Sequence, residues 1–136
     1  MTAPRPQVGI VCNKEVRNRY IVEADLERLN KFADFHWHEC EEDTSWDDAP
    51  ATSDSTKAEV TEFVSKLDAV IVCHGSPRID QSIISSSPRL KLIGELEGDR
   101  FAQRIDVEVA LARGVRAVDT THGSSYPVSE WALGMM

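Results

Sequence analysis

Apolar positions along the chain follow two spacings that alternate. Gln7-Val8-Gly9-Ile10-Val11-Cys12 is a short continuous apolar run, the pattern of a strand buried on both faces. Residues 17–33 follow with Val22, Leu26, Leu29 and Ala33 at helical spacing, which predicts one helix. Phe35-His36-Trp37-His38-Glu39-Cys40 alternates and predicts a second strand, and residues 41–55, rich in Asp, Ser, Thr and Pro, predict a solvated loop. Thr56-Lys57-Ala58-Glu59 has the form of a capping box, and Val60, Phe63, Val64 and Leu67 then line one face of a helix. Residues 69–73 predict strand three, and His74-Gly75-Ser76-Pro77 predicts a loop. A short helix over 80–86, strand four over 90–94 and a loop over 95–104 come next. Asp106 is placed to cap a helix over 107–113, which Gly114 ends, and residues 115–118 predict strand five. From Ser124 the chain reads as helix again, with Val128, Trp131, Ala132 and Met135 on one face and Pro127 in the first turn.

Five short strands separated by helices imply right-handed crossovers and a parallel sheet covered on both faces. The expected fold class is α/β, a flavodoxin-like five-stranded parallel sheet in the order 2-1-3-4-5. Ligands of such sheets bind at the carboxyl ends of the strands. That puts the loops over 74–78 and 95–104 on the candidate rim.

At 136 residues one domain is expected. The 15 Lys and Arg against 23 Asp and Glu give a net charge of −8, which argues against a nucleic-acid backbone as partner. No run approaches the length of a membrane span, and the start lacks the apolar core of a signal peptide, so the expected location is cytoplasmic, with no membrane partner. Cys12, Cys40 and Cys73 are odd in number, widely spaced and set in apolar runs, as reduced core cysteines are. The final residues, Trp131-Ala132-Leu133-Gly134-Met135-Met136, stop inside an apolar helical pattern without a cap, which reads as a truncation.

Seven glycines form neither G-x-G-x-x-G nor G-x-x-x-x-G-K, so nothing here wraps a pyrophosphate in the usual way. His36-x-His38-x-Cys40 offers three metal-ligand types on one strand face, but an edge strand with Phe35 and Trp37 packed inward accounts for them better, and no metal is expected. Asp119, His122, Ser124 and Ser125 carry the residue types of a hydrolase triad within one short stretch, where a serine-capped helix start is the simpler account. Cys73-His74 could form a thiolate pair, and His74, beside Gly75 on the rim, could touch a ligand. In Glu95-Leu96-Glu97-Gly98-Asp99-Arg100, free N–H groups beside Gly98 and the Arg100 guanidinium could hold a small carboxylate; a solvated turn with an Asp99–Arg100 pair is the alternative.

From residue 67 onward five segments fall in register with one family: Leu67-Asp68-Ala69-Val70-Ile71-Val72, Pro88-Arg89-Leu90-Lys91-Leu92-Ile93-Gly94, Arg104-Ile105-Asp106-Val107-Glu108-Val109-Ala110, Arg113-Gly114-Val115-Arg116-Ala117-Val118 and Val128-Ser129-Glu130-Trp131-Ala132-Leu133. In that order the chain resembles the N-terminal catalytic, substrate-binding domain of the D-isomer-specific 2-hydroxyacid dehydrogenases. The resemblance implies a substrate domain over 1–123 and, over 124–136, the start of an interdomain helix leading to a Rossmann domain that binds NAD or NADP. The intact protein would then be an oxidoreductase moving a hydride between nicotinamide and C2 of a small 2-hydroxy or 2-oxo acid, and would form a homodimer. The family's catalytic Arg, Glu and His lie outside these residues, so no catalytic residue is expected here and the chain alone is expected to be inactive.

The same resemblance places Glu97, Gly98, Asp99, Arg100, Gly75 and Ser124 near the substrate, and Ser76, Pro77 and Val128 near the cofactor. The loop departs from the family's G-x-G-x-D-x-I-D: it is about two residues longer and keeps only Gly98 between Gly94 and Ile105-Asp106. Pro77 stands where threonine is frequent, leaving Ser76 as the hydroxyl. A stand-alone flavodoxin-like regulatory or ligand-binding module is the alternative. A receiver of that type needs an acidic cluster after strand one and an aspartate after strand three, where this chain has Cys12-Asn13-Lys14 and Cys73-His74.

Overall fold

Parallel pairing of five strands organises the computed structural model, which describes residues 4–42, 48–98 and 101–136. The elements run β1 (Gln7–Cys12), α1 (Lys14–Tyr20), α2 (Glu23–Leu29), β2 (Asp34–Glu39), α3 (Asp54–Ser65), β3 (Ala69–Val72), α4 (Gln81–Ser85), β4 (Leu92–Glu95), α5 (Phe101–Arg104), α6 (Val107–Ala112), β5 (Arg116–Asp119) and α7 (Thr121–Gly134). The sheet order is β2-β1-β3-β4-β5, the flavodoxin-like arrangement expected. Its register sets Ile10 beside Trp37 and Ile71, Ile71 beside Gly94, and Gly94 beside Val118.

Side chains alternate across this sheet and build two cores. Val11, Val70, Val72 and Ile93 join Val60 and Val64 of α3, Ile83 and Ile84 of α4 and Ala110 of α6 in the larger one. Ile10 and Cys12 face the other way, with Val16 of α1, Cys73, Phe35 and Trp37. β2 is therefore an edge strand with its two aromatic residues turned inward. Trp37 donates its indole N–H to the Cys12 carbonyl at 3.2 Å, and the Arg17 guanidinium lies 5.9 Å from the Trp37 ring centre.

Several boundaries differ from the sequence expectation. The single helix over 17–33 is two, because Ile21 and Val22 adopt extended backbone (ψ 93° and 148°). The break lets Ile21 pack with Phe35 and Trp37, while Val22 starts α2. The capping box at Thr56 is replaced by a cap three residues earlier: Ser53 Oγ accepts from Thr56 N–H at 3.1 Å, and the Thr56 hydroxyl bonds Ser53 Oγ. Residues 101–104, expected as loop, form the short α5, and the last helix opens at Thr121, three residues before Ser124. β4 and β5 each sit one or two residues later than expected. Asp80 and Asp106 cap α4 and α6, and Gly114 takes φ 72° after α6.

Candidate functional site

The loops after β3 and β4 meet at the carboxyl edge of the sheet. Leu96 N–H donates to the Val72 carbonyl at 3.1 Å, which extends the β3–β4 pairing past β4. Farther on, Ile79 N–H donates to the Arg104 carbonyl and Asp106 N–H to the Ile79 carbonyl. Gly75 fixes the other side. Its φ is 91°, and a Cβ there would lie 2.2 Å from the Cys40 carbonyl oxygen, so only glycine lets this loop pass against β1 and β2. The His74 carbonyl accepts from Asn13 N–H at 2.8 Å and the Gly75 carbonyl from Glu42 N–H at 2.9 Å.

Four titratable side chains are gathered where these loops join. Glu95, at the end of β4 and 1% exposed, folds its carboxylate back over the loop; it accepts from Gly98 N–H at 2.7 Å and from Glu97 N–H. Gly98 takes φ 84°, a backbone conformation that favours glycine, where the loop turns. Burial holds the Glu95 carboxyl above the usual carboxylate range, against the opposing effect of those two N–H bonds. Glu97, its side chain 4% exposed, receives the Arg104 guanidinium at 2.7 and 3.3 Å. Arg104, 1% exposed, also donates to the Ser76 carbonyl at 2.5 Å. His74 completes the set, donating from Nδ1 to Glu97 Oε1 at 2.8 Å with its side chain 46% exposed.

The sequence-derived residues are distributed unevenly over this arrangement. Gly75, Glu97 and Gly98 come together around His74. The N–H groups of Glu97 and Gly98, expected to be open, are bonded to Glu95. Asp99 and Arg100 lie outside the described residues. Ser124 is in the first turn of α7, its side chain outside the description, and Val128 is exposed on the same helix. Ser76 and Pro77 are buried, and Ser76 Oγ has no hydrogen-bond partner among the described residues. Glu95 and Arg104 are not among the expected site residues. The available signal was a glutamate closing the apolar run Leu92-Ile93-Gly94 and an arginine directly before Ile105.

The other candidate chemistries separate in space. His36 bonds Gln7 at 2.7 Å, the His38 ring packs 5.2 Å from Phe63, and Cys40 is in the larger core. Among the described residues no group of three His, Cys, Asp or Glu is set to hold a metal ion. Burial pushes the Cys73 thiol up to about 12 and the Cys12 thiol up to about 11, so neither supplies a thiolate near neutral pH. The side chains of His122 and Ser124 lie outside the description. No helix among the described residues is long and apolar enough to cross a membrane.

No family model matches the chain. Over 81 residues, 60% of its length, it is 31% identical to the D-3-phosphoglycerate dehydrogenase of Methanocaldococcus jannaschii. A phosphoglycerate oxidoreductase from Rhizobium etli superposes with a TM-score of 0.63 at 17% identity, over 96% of this chain and 35% of that one. The pyruvate reductase of Chlamydomonas reinhardtii does so with a TM-score of 0.55 at 17% identity, over 85% and 29%. In sequence the chain is similar to that D-3-phosphoglycerate dehydrogenase, and in fold to the two solved oxidoreductases. It spans 15% of the length of the Methanocaldococcus enzyme and about a third of the two solved structures. The five-stranded parallel sheet with helices on both faces is a flavodoxin-like α/β fold.

Proposed function

We propose that the chain is the substrate-binding domain of an NAD(P)-dependent oxidoreductase acting on a small D-2-hydroxy acid, or reducing the corresponding 2-oxo acid. The observation that carries this reading is the 31% identity to a D-3-phosphoglycerate dehydrogenase over 81 residues. NAD(P) supplies the hydride chemistry, yet the residues present do not form a site for it. There is no glycine fingerprint, and Ser76 and Pro77, the residues expected nearest the nicotinamide, are buried. Cofactor binding therefore falls to a second domain, which the greater length of the relatives leaves room for.

The share of this chain is to hold the acid at the carboxyl edge of β3 and β4, between the loop at Gly75 and the loop at Glu97 and Gly98. Burying Glu95, Glu97 and Arg104 beneath that edge keeps its backbone fixed. The test is the gene. Reading the frame past the codon for Met136 should give a G-x-G-x-x-G within a few dozen codons, opening a strand–helix–strand unit. A stop codon directly after Met136 in the native gene would remove the reading.

A further inference from the structure

We propose that the cleft beside Arg78 is a second ligand site, separate from the acid-holding edge, and that it takes an α-amino acid with an aliphatic side chain. The sequence places an arginine directly after Ser76-Pro77, and two acids, Asp106 and Glu108, on either side of Val107. The fold brings these together. Ile79 and Ile105 form a short parallel bridge, in which Ile79 N–H donates to the Arg104 carbonyl at 2.8 Å and Asp106 N–H to the Ile79 carbonyl at 3.0 Å. Both isoleucines are buried in the larger core, so the bridge is a fixed base for their neighbours Arg78 and Asp106.

Arg78 is the anomaly. A guanidinium stays charged in proteins and offers its N–H donors in a fixed planar fork. Among the described residues the Arg78 side chain has no hydrogen-bond or ion-pair partner, and its Nε–H is enclosed without an acceptor. A buried donor left unmet costs more than an ordinary hydrogen bond contributes, so such a group calls for an explanation. Nε alone of the guanidinium nitrogens is enclosed, and the outer two reach the surface of a partly exposed side chain.

A cleft of about 470 Å³ opens there, lined by Arg78, Ala102, Ile105, Asp106, Val107 and Glu108. Its volume is that of a small-molecule pocket. One guanidinium and two carboxylates share it, yet Arg78 pairs with neither acid. Asp106 commits one oxygen to Val109 N–H at 3.3 Å, and its other oxygen is unbonded among the described residues. Opposite charges held apart in one cleft fit a molecule that carries both. An α-carboxylate takes the guanidinium by two parallel hydrogen bonds, and the α-ammonium takes Asp106 and Glu108. Ala102 and Val107 give the apolar wall for an aliphatic side chain. A plain carboxylate would leave both acids unmet, and a plain amine would leave Arg78 unmet. None of the six residues belongs to the edge at Gly75, Glu97 and Gly98.

Titration of the isotope-labelled 136-residue chain with L-leucine, followed by NMR, tests this. Leucine should shift the Arg78 Nε–H resonance and the amides of Asp106 and Val107 saturably. Leucinamide, which lacks the carboxylate, and 4-methylpentanoate, which lacks the ammonium, should each bind more weakly by about tenfold or more, as loss of a charge-assisted hydrogen bond requires. Arg78→Met should weaken leucine to the same extent and keep the native amide pattern, because the Arg78 side chain has no partner in the fold. Asp106→Asn retains a capping residue for α6 and should weaken leucine while leaving 4-methylpentanoate unchanged. Leucine binding that survives Arg78→Met within about twofold overturns the proposal. So does 4-methylpentanoate binding as tightly as leucine, or a spectrum that millimolar leucine leaves unmoved. These residues lie outside the edge at Gly75, Glu97 and Gly98, so any of those results leaves the oxidoreductase reading in place.

Discussion

Arg104→Met removes the one buried cation of the cluster and keeps most of the side chain's volume. The wild-type guanidinium makes three hydrogen bonds, two to Glu97 and one to the Ser76 carbonyl, at 1% exposure. Its loss leaves Glu97 buried beside Glu95 with no guanidinium between them, and orphans a buried carbonyl oxygen. Breaking a buried pair on one side costs about 3–5 kcal/mol. With a urea slope of about 2 kcal/mol/M for a domain of this size, the unfolding midpoint should fall by roughly 2 M. Replacing the partner as well distinguishes an ion pair from packing. Glu97→Gln combined with Arg104→Met removes the stranded charge, so the double variant should be more stable than Arg104→Met alone. Urea unfolding of the two single variants and the double, followed by circular dichroism, completes the cycle. If Arg104→Met costs under about 1 kcal/mol, as an exposed pair would, and the double variant regains nothing, the cluster does not hold the loop as argued.

Other expected outcomes follow from the same geometry. Burial raises the Glu95 carboxyl above its unfolded value of 4.5, so the folded chain holds a proton there that the unfolded chain releases. Stability from that group is greatest below pH 4.5 and is lost as pH rises through the raised value; urea unfolding at pH 5 and pH 8 should therefore show Glu95→Gln gaining on wild type at the higher pH. Asp80→Ala should cost about 1–2 kcal/mol in the same assay, because Asp80 caps α4 through Ser82 and Ile83 N–H and meets Lys57 at 2.5 Å. Gly75→Ala should prevent stable folding, visible as loss of amide dispersion, since its Cβ would meet the Cys40 carbonyl. Tyr126, Val128, Trp131, Leu133 and Met135 are exposed on and just beyond α7, and light scattering should show the isolated chain associating as its concentration rises.

The sheet was legible in the sequence because each buried strand is a short apolar run and the helix α3 carries a single apolar stripe. Val60, Phe63, Val64 and Leu67 repeat at helical spacing, and all four contribute to one core. Boundaries were less legible where two local signals compete. Thr56 and Ser53 both offer a hydroxyl three residues before an N–H, and the chain caps at Ser53. Val22 fits a helical stripe, yet its neighbour Ile21 packs with Phe35 and Trp37 against the smaller core and the helix breaks there. The candidate site was half legible. Gly75 and Gly98 announce turns with positive φ, and both have it. That Glu95 turns back onto the loop amides, and that Arg104 reaches Glu97 and Ser76, are long-range pairings with no local periodicity, so spacing could not reveal them.

The account's central claim is most directly tested by hydride transfer. The protein expressed from Met1 through its reading frame to the native stop codon should oxidise NADH or NADPH only when a small 2-oxo acid is present. A panel of pyruvate, glyoxylate and hydroxypyruvate, each followed by loss of nicotinamide absorbance, is sufficient. The account predicts saturable turnover with at least one of them. Absence of acid-dependent oxidation of either nucleotide with every member of the panel would contradict it.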